Sequence, residues 1–154
     1  MYTKKDFSID LIYQEYVKRL KHITSLYAIE IKTEYKKKLS KIDREKILNN
    51  DSKKIRKRIP KNDLVIILDE KGKKYTSKDF ADKMNTWGNL GKNLTFILGG
   101  PEGLARDIKI FGHDILSLSD MTLSHSMSKV ILIEQIYRAY TIIKNHPYHR
   151  SLNC

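Results

Sequence analysis

Leu64-Val65-Ile66-Ile67-Leu68 is an unbroken apolar run in a chain whose residues are 31% charged. It is too short for a membrane span, which needs roughly 20 apolar residues. With no polar residue to turn toward water, it must be covered on both faces. That is the position of a central strand in a parallel sheet. The rest of the chain has to supply neighbouring strands and covering helices.

The periodicities supply both. Phe7, Leu11, Tyr16, Val17 and Leu20 recur at helical spacing and predict an amphipathic helix over 7–21. Tyr27, Ile29 and Ile31 alternate with Ala28, Glu30 and Lys32 and predict a half-buried strand. A second helix is expected over 40–58, with Ile42, Leu48 and Ile55 on one stripe, stopped by Pro60. After the apolar run, Glu70-Lys71-Gly72-Lys73 reads as a turn, and Ser77 as the N-cap of a helix carrying Phe80, Met84 and Trp87. Leu94–Leu98 is another strand. A short helix with Leu104, Ile108 and Phe111 leads to a strand at Asp114–Leu118, and a long helix fills about 125–145 before His146-Pro147. Strand and helix alternate, which predicts an α/β fold with a mainly parallel sheet flanked by helices. At 154 residues and 18.1 kDa this is one domain. The last helix is apolar nearly all round, through Val130, Ile131, Leu132, Ile133, Ile136, Tyr137, Tyr140, Ile142 and Ile143. Cover from a second subunit, in a homodimer, is the expectation; the alternative is a helix sandwiched within one chain.

Composition narrows the function. A single cysteine, Cys154, leaves no disulfide framework and no cysteine-rich zinc site. The opening MYTKKDFSIDLIYQ has no apolar signal region, so a soluble, cytoplasmic protein with no membrane partner is expected. The net charge is +12, and residues 1–61 hold 18 basic against 8 acidic side chains. So uneven a charge suggests a polyanion, nucleic acid first. A lysine bias from an AT-rich genome is the plainer explanation, since 23 of the 30 basic residues are Lys. The densest patch, Lys53, Lys54, Arg56, Lys57 and Arg58, is the candidate RNA contact.

Ligands of parallel sheets bind outside the carboxyl ends of the strands. Two loops lie there. Gly99-Gly100-Pro101-Glu102-Gly103 follows a strand and precedes a helix, but it matches neither phosphate-binding glycine pattern, and a tight turn explains it equally well. Leu118-Ser119-Asp120-Met121-Thr122-Leu123 mixes small, polar and apolar residues, as a pocket for an adenosine and a thioether does, or as an ordinary connection does. The tail, His146-Pro147-Tyr148-His149-Arg150, sets a ring, an imidazole and a guanidinium side by side. Such a set suits a flipped base better than a metal, while composition alone favours a solvated terminus. No third ligand accompanies its two histidines, so no metal is expected.

Taken together, VIILDEKGKKYTSKDFA (65–81), FILGGPEGL (96–104), LSLSDMTLSH (116–125), VILIEQIYRAY (130–140) and HPYHR (146–150) resemble the ribosomal RNA large subunit methyltransferase H family of the SPOUT class, in order and spacing over about residues 11–150. The resemblance implies an enzyme that uses S-adenosyl-L-methionine to methylate N3 of a pseudouridine in helix 69 of 23S rRNA, at position 1915, on the assembled 70S ribosome. It also implies a C-terminal trefoil knot and a homodimer. Cofactor contacts would fall on Leu68, Gly99, Leu118, Ser119, Asp120, Met121, Thr122 and Leu123. For the target, side-chain chemistry suggests His149 as the base or its orienting group, Arg150 on the ring oxygens and Tyr148 stacking on the base. Arg138 is a candidate phosphate or target contact, against an intrahelical pair with Glu134.

The chain departs from the family in three places. Members open with an apolar strand and a glycine turn, whereas this chain begins just before its first helix, so the domain is expected to lack that strand. Ser124 stands where a proline precedes the histidine, which should loosen the loop. Lys53-Lys54-Ile55-Arg56-Lys57-Arg58 replaces a common acidic-glycine segment. Two alternatives stay open: a non-catalytic ribosome- or RNA-binding derivative of the fold, and a small-molecule methyltransferase.

Overall fold

The computed structural model describes residues 7–33 and 40–148. In chain order the elements are α1 (Phe7–Lys21), α2 (Lys41–Arg56), β1 (Leu64–Lys74), α3 (Ser77–Gly88), β2 (Leu94–Leu98), α4 (Arg106–Phe111), β3 (Asp114–Ser117) and α5 (His125–Ile143). They fall into two compact units. One holds Ala28–Lys74 and Gly91–Asp120; the other holds the chain up to Tyr27, Tyr75–Leu90 and the chain from Met121.

The first unit is built on a parallel sheet of order β2-β1-β3, so the apolar run does occupy the centre. Leu64 to Leu68 are all buried. Val65 and Ile67 pack with Ile97, Leu104 and Ile108, and Ile55, Ile59 and Ile115 close around them. Ser40 opens α2 with a capping box: its hydroxyl accepts the Asp43 N–H at 3.1 Å while Asp43 reaches back to Ser40 N. The stripe of α2 differs from expectation. Ile47 and Ser52 are its buried residues, and Ile42 is exposed because it lies in the first turn.

Two further readings are corrected. The segment 70–73 is not a turn. Leu68 and Lys73 both pair with Leu116, so the chain swings out between them and β1 resumes through Lys74. Glycine allows this. A Cβ on Gly72 would lie 2.5 Å from the Leu116 carbonyl carbon and 2.7 Å from Ser117 N. Residues 27–31 form no strand either; Tyr27 is 86% and Ile29 56% exposed. Alternation makes a strand only where a neighbour takes the backbone hydrogen bonds, and among the described residues none pairs with this segment. The two residues that follow it are held to α2 by side chains: Lys54 Nζ donates to Lys32 O at 3.2 Å, and Thr33 donates to Asp51.

The second unit is helical. α5 packs against both α1 and α3, through buried Tyr13, Leu20, Phe80, Ala81, Met84, Trp87, Ile133, Ile136 and Ala139. Part of its all-round apolar surface is therefore covered from within the chain. Val130, Ile131, Leu132, Tyr137, Tyr140 and Ile142 remain half-buried. Leu11, expected on the core stripe of α1, is exposed, and Tyr13 takes its place. Thr76, one residue earlier than expected, caps α3 by accepting the Asp79 N–H at 3.1 Å. No helix of the described residues is long and apolar enough to cross a membrane.

Candidate active site

The register of the sheet brings the ends of β2 and β3 beside the middle of β1. Leu68 pairs with Leu98 on one side and Leu116 on the other. Gly99 and Leu118 therefore follow β2 and β3 at the same carboxyl edge as Leu68. The glycine loop is a closed turn, with the Gly103 N–H donating to Gly100 O at 2.9 Å and Pro101 at its first corner. Gly99 has no space for a side chain. A Cβ there would lie 2.9 Å from Gly103 C and 3.1 Å from Leu104 Cγ. Glu102 of this loop pairs with Arg44 of α2, which ties the loop to the unit's own helix.

Directly after Leu68 comes Asp69, with only 14% of its side chain exposed. Burial pushes its carboxyl up, but a hydrogen bond and ion pair from Lys109 Nζ at 2.5 Å and the Lys71 N–H at 3.0 Å outweigh that and hold it below the usual carboxylate range. This pair joins β1 to α4, the helix that follows the glycine loop. Beyond β3, the Ser117 hydroxyl donates to Ser119 O at 3.0 Å, and Asp120 pairs with Lys74. Leu68, Gly99, Leu118, Ser119 and Asp120 thus share one unit. Met121, Thr122 and Leu123 open the chain segment of the other and lead into α5. Ser124, expected to loosen this segment, has a structural role of its own. It caps α5, its hydroxyl accepting the Met127 N–H at 3.3 Å.

The far end of α5 is closed as firmly. Asn145 takes a left-handed φ of 51°. His146 N then donates to Thr141 O at 2.8 Å and Asn145 N to Ile142 O at 3.0 Å, a Schellman end that turns the tail back along the helix. Tyr148 lands in a cluster. Its hydroxyl is 3.0 Å from that of Tyr16 and 3.2 Å from Glu134 Oε1. Its ring meets Tyr137 edge-on at 4.9 Å, with the Arg138 guanidinium 4.9 Å from its centroid. Burial, the bond to Tyr16 and the charge of Glu134 all raise its pKa. Arg138 makes the intrahelical pair, with Nε 2.9 Å from Glu134 Oε1. Burial works against its charge, and Glu134 more than restores it. His149 and Arg150 lie outside the described residues.

The basic patch divides. Lys54 is engaged by Lys32 O and by Asp51 at 3.6 Å. Arg56 donates to Asp107 O at 3.1 Å and lies 5.2 Å from the Phe111 ring centroid. Lys53, Lys57 and Arg58 are exposed.

Known proteins bear on this geometry. Residues 2–149 match the family described as "Predicted SPOUT methyltransferase". The chain is 42% identical to the ribosomal RNA large subunit methyltransferase H of Nitrosomonas eutropha, over 90% of this chain and 88% of that protein. Its counterpart in Halothermothrix orenii is 40% identical, over 96% and 93%. That of Chromobacterium violaceum is 38% identical, over 97% and 94%. The chain belongs to the ribosomal RNA large subunit methyltransferase H family.

For this family member, the sequence drew attention to the strand ends and the tail but missed what holds them. Asp69 with Lys109, Arg44 with Glu102, and Tyr16 with Tyr148 join residues 40, 58 and 132 positions apart. A charge of each sign was visible at every ion pair. Nothing in periodicity says which of many Lys residues meets which carboxylate.

Proposed function

We propose that the chain methylates N3 of a pseudouridine in large-subunit ribosomal RNA, the one at position 1915 in helix 69 of 23S rRNA, on the assembled 70S ribosome in the cytoplasm. The observation that carries this is the membership of residues 2–149 in the family, together with a sheet edge where Gly99 and Leu118 follow closely on Leu98 and Leu116, the partners of Leu68. The fold is read as a single SPOUT domain over residues 1–154 with a C-terminal trefoil knot. The active form is read as a homodimer, supported by the half-buried apolar residues of α5.

Methyl transfer needs a donor, and the edge fits S-adenosyl-L-methionine. Leu118, half-buried, offers apolar surface for a purine or a thioether next to the buried Leu68, and Gly99 offers backbone without a side chain. Residues 118–123 would enclose the donor, with Ser119, Asp120, Met121, Thr122 and Leu123 beyond the last ladder pair of β3. When bound, the donor supplies an electrophilic sulfonium methyl group.

The chain's own residues have the remaining work. N3 of the target must give up its proton, and His149 takes it on an imidazole nitrogen or orients the group that does. Arg150 holds the negative charge that spreads to the ring oxygens. Tyr148 stacks on the base, supported by Tyr137 and Arg138, and its hydroxyl bonds to Tyr16 and Glu134 anchor the chain just before His149. Arg138 and the patch Lys53, Lys54, Arg56, Lys57 and Arg58 would face phosphates, most directly through the exposed Lys53, Lys57 and Arg58.

The test is transfer of labelled methyl from S-adenosyl-L-methionine to 70S ribosomes that lack the modification, followed by mapping of the label. The expected result is label in helix 69, reduced at least about 100-fold by His149→Ala or Arg150→Ala. Donor binding without transfer would instead mark a binding-only derivative. Transfer to a free small molecule would overturn the RNA reading.

A further inference from the structure

Arg19, in the last turn of α1, lines a cleft of about 270 Å³ with His22, Ile23, Tyr137, Thr141 and His146. All belong to the helical unit, and of them Tyr137 also borders Tyr148, with ring centroids 4.9 Å apart. The one full charge among the lining residues is the guanidinium of Arg19. Glu15 takes its Nε at 2.9 Å, yet the side chain stays 40% exposed. The guanidinium carbon stands 5.4 Å from the Tyr16 ring centroid and 5.8 Å from that of Tyr137, so two aromatic rings fix its position. The Schellman end of α5 brings His146 to the same cleft. His146 Nδ1 accepts the Tyr148 N–H at 3.2 Å. In the neutral ring the proton is therefore on Nε2, which is left as a donor. His22 follows α1 directly and is exposed.

A fixed guanidinium, two imidazoles that can donate, and an aromatic ring with no carboxylate in the lining make up a receptor for an oxyanion with a ring attached. The volume is below the roughly 300–1,000 Å³ of sites for drug-sized ligands, so it suits a phosphate with part of a nucleoside rather than a whole cofactor.

We propose that this cleft binds a phosphodiester of single-stranded RNA, with Arg19, His22 and His146 on the phosphate oxygens and Tyr137 and Ile23 against the adjoining ribose or base. The proposal rests on the reading of the chain as an RNA-modifying enzyme and adds to it a substrate contact carried by the helical unit.

Oligouridylate is the probe, titrated into the full chain while the imidazole C–H signals are followed by NMR; His22→Gln and His146→Gln assign them. The signals of His22 and His146 should shift, and those of His113 and His125 should not. Arg19→Gln should weaken binding about tenfold and reduce the slope of log affinity against log salt by about 0.7, the share of one phosphate on a single strand. Arg19→Lys should keep most of that slope. His22→Gln, at an exposed position outside the helix, removes a donor without disturbing the aromatic contacts and should weaken binding while leaving the salt slope to Arg19. Unchanged affinity and slope in Arg19→Gln, with unchanged affinity in His22→Gln, would overturn the proposal, as would equal competition by oligoglutamate. Methyl transfer to ribosomes is measured alongside. Loss of oligouridylate binding in the variants, with no transfer by the parent chain, sinks the substrate reading and leaves the cleft standing. Transfer by the parent chain with unchanged binding in the variants sinks the cleft alone.

Discussion

Asp69 shows what a single side chain contributes beside a candidate cofactor edge. An enclosed carboxylate resists ionisation, and here Lys109 and the Lys71 N–H reverse that tendency. Because the folded-state pKa is depressed, the stabilisation is fully present above the unfolded value of about 3.9 and is lost as pH falls through the folded one. Asp69→Asn should therefore cost about 1–2 kcal/mol at pH 7, at the low end because Lys109 is more than a third exposed. The gap between parent and variant in urea denaturation should close below about pH 4. A gap that is constant with pH would mean that the carboxylate charge is not what holds β1 to α4. At this scale the sequence is least legible. The apolar run ending at Leu68 could be recognised as strand, but Asp69 lies within β1, and in the sequence it looked like any charged residue after that run. Arg138 was legible only as a choice between two roles, and the 2.9 Å bond to Glu134 shows that the intrahelical pair is made.

Elements were the most legible scale, since helix and strand periods follow from side chains close in sequence. The limits of β2 and α1 agree with the expected ones, and α2, α3, α4, β3 and α5 differ by a few residues at their ends. The failures have one cause. Residues 27–31 alternate correctly but have no ladder, and 70–73 carry turn residues although the chain returns to β3 at Lys73; both outcomes depend on a distant strand. Ser124 is a subtler case. Read as a lost proline, it implied a looser loop, whereas its hydroxyl provides the cap that proline lacks. Ser124→Ala should lower stability by about 1 kcal/mol through loss of that bond. Ser124→Pro should come close to neutral. The native φ of −64° at this position already suits proline, and the stiffer unfolded chain returns about 0.4–1 kcal/mol. Thermal or urea unfolding of the two variants checks this, and a proline variant no better than the alanine one would refute the argument.

Charge belongs to the whole molecule, and the sequence shows its amount without showing how much is available. The chain carries +12, but some of the basic end of α2 is used internally. Lys54 holds the 28–33 segment through Lys32 O, and Arg56 holds α4 through Asp107 and Phe111. Neutralising those two should act mainly on stability. Lys53, Lys57 and Arg58 are exposed and can meet a polyanion. Reversing all three, as Lys53→Glu, Lys57→Glu and Arg58→Glu, should weaken binding to 70S ribosomes most at low salt. The slope of log affinity against log salt should fall by about 2–3, at roughly 0.7–0.9 per phosphate contact. Lys54→Gln with Arg56→Gln should leave that slope nearly unchanged while lowering the unfolding midpoint. Equal slopes for the parent and the triple variant would show that the patch does not face RNA. The excess of lysine would then have its compositional explanation, and the RNA contacts would have to come from elsewhere in the chain.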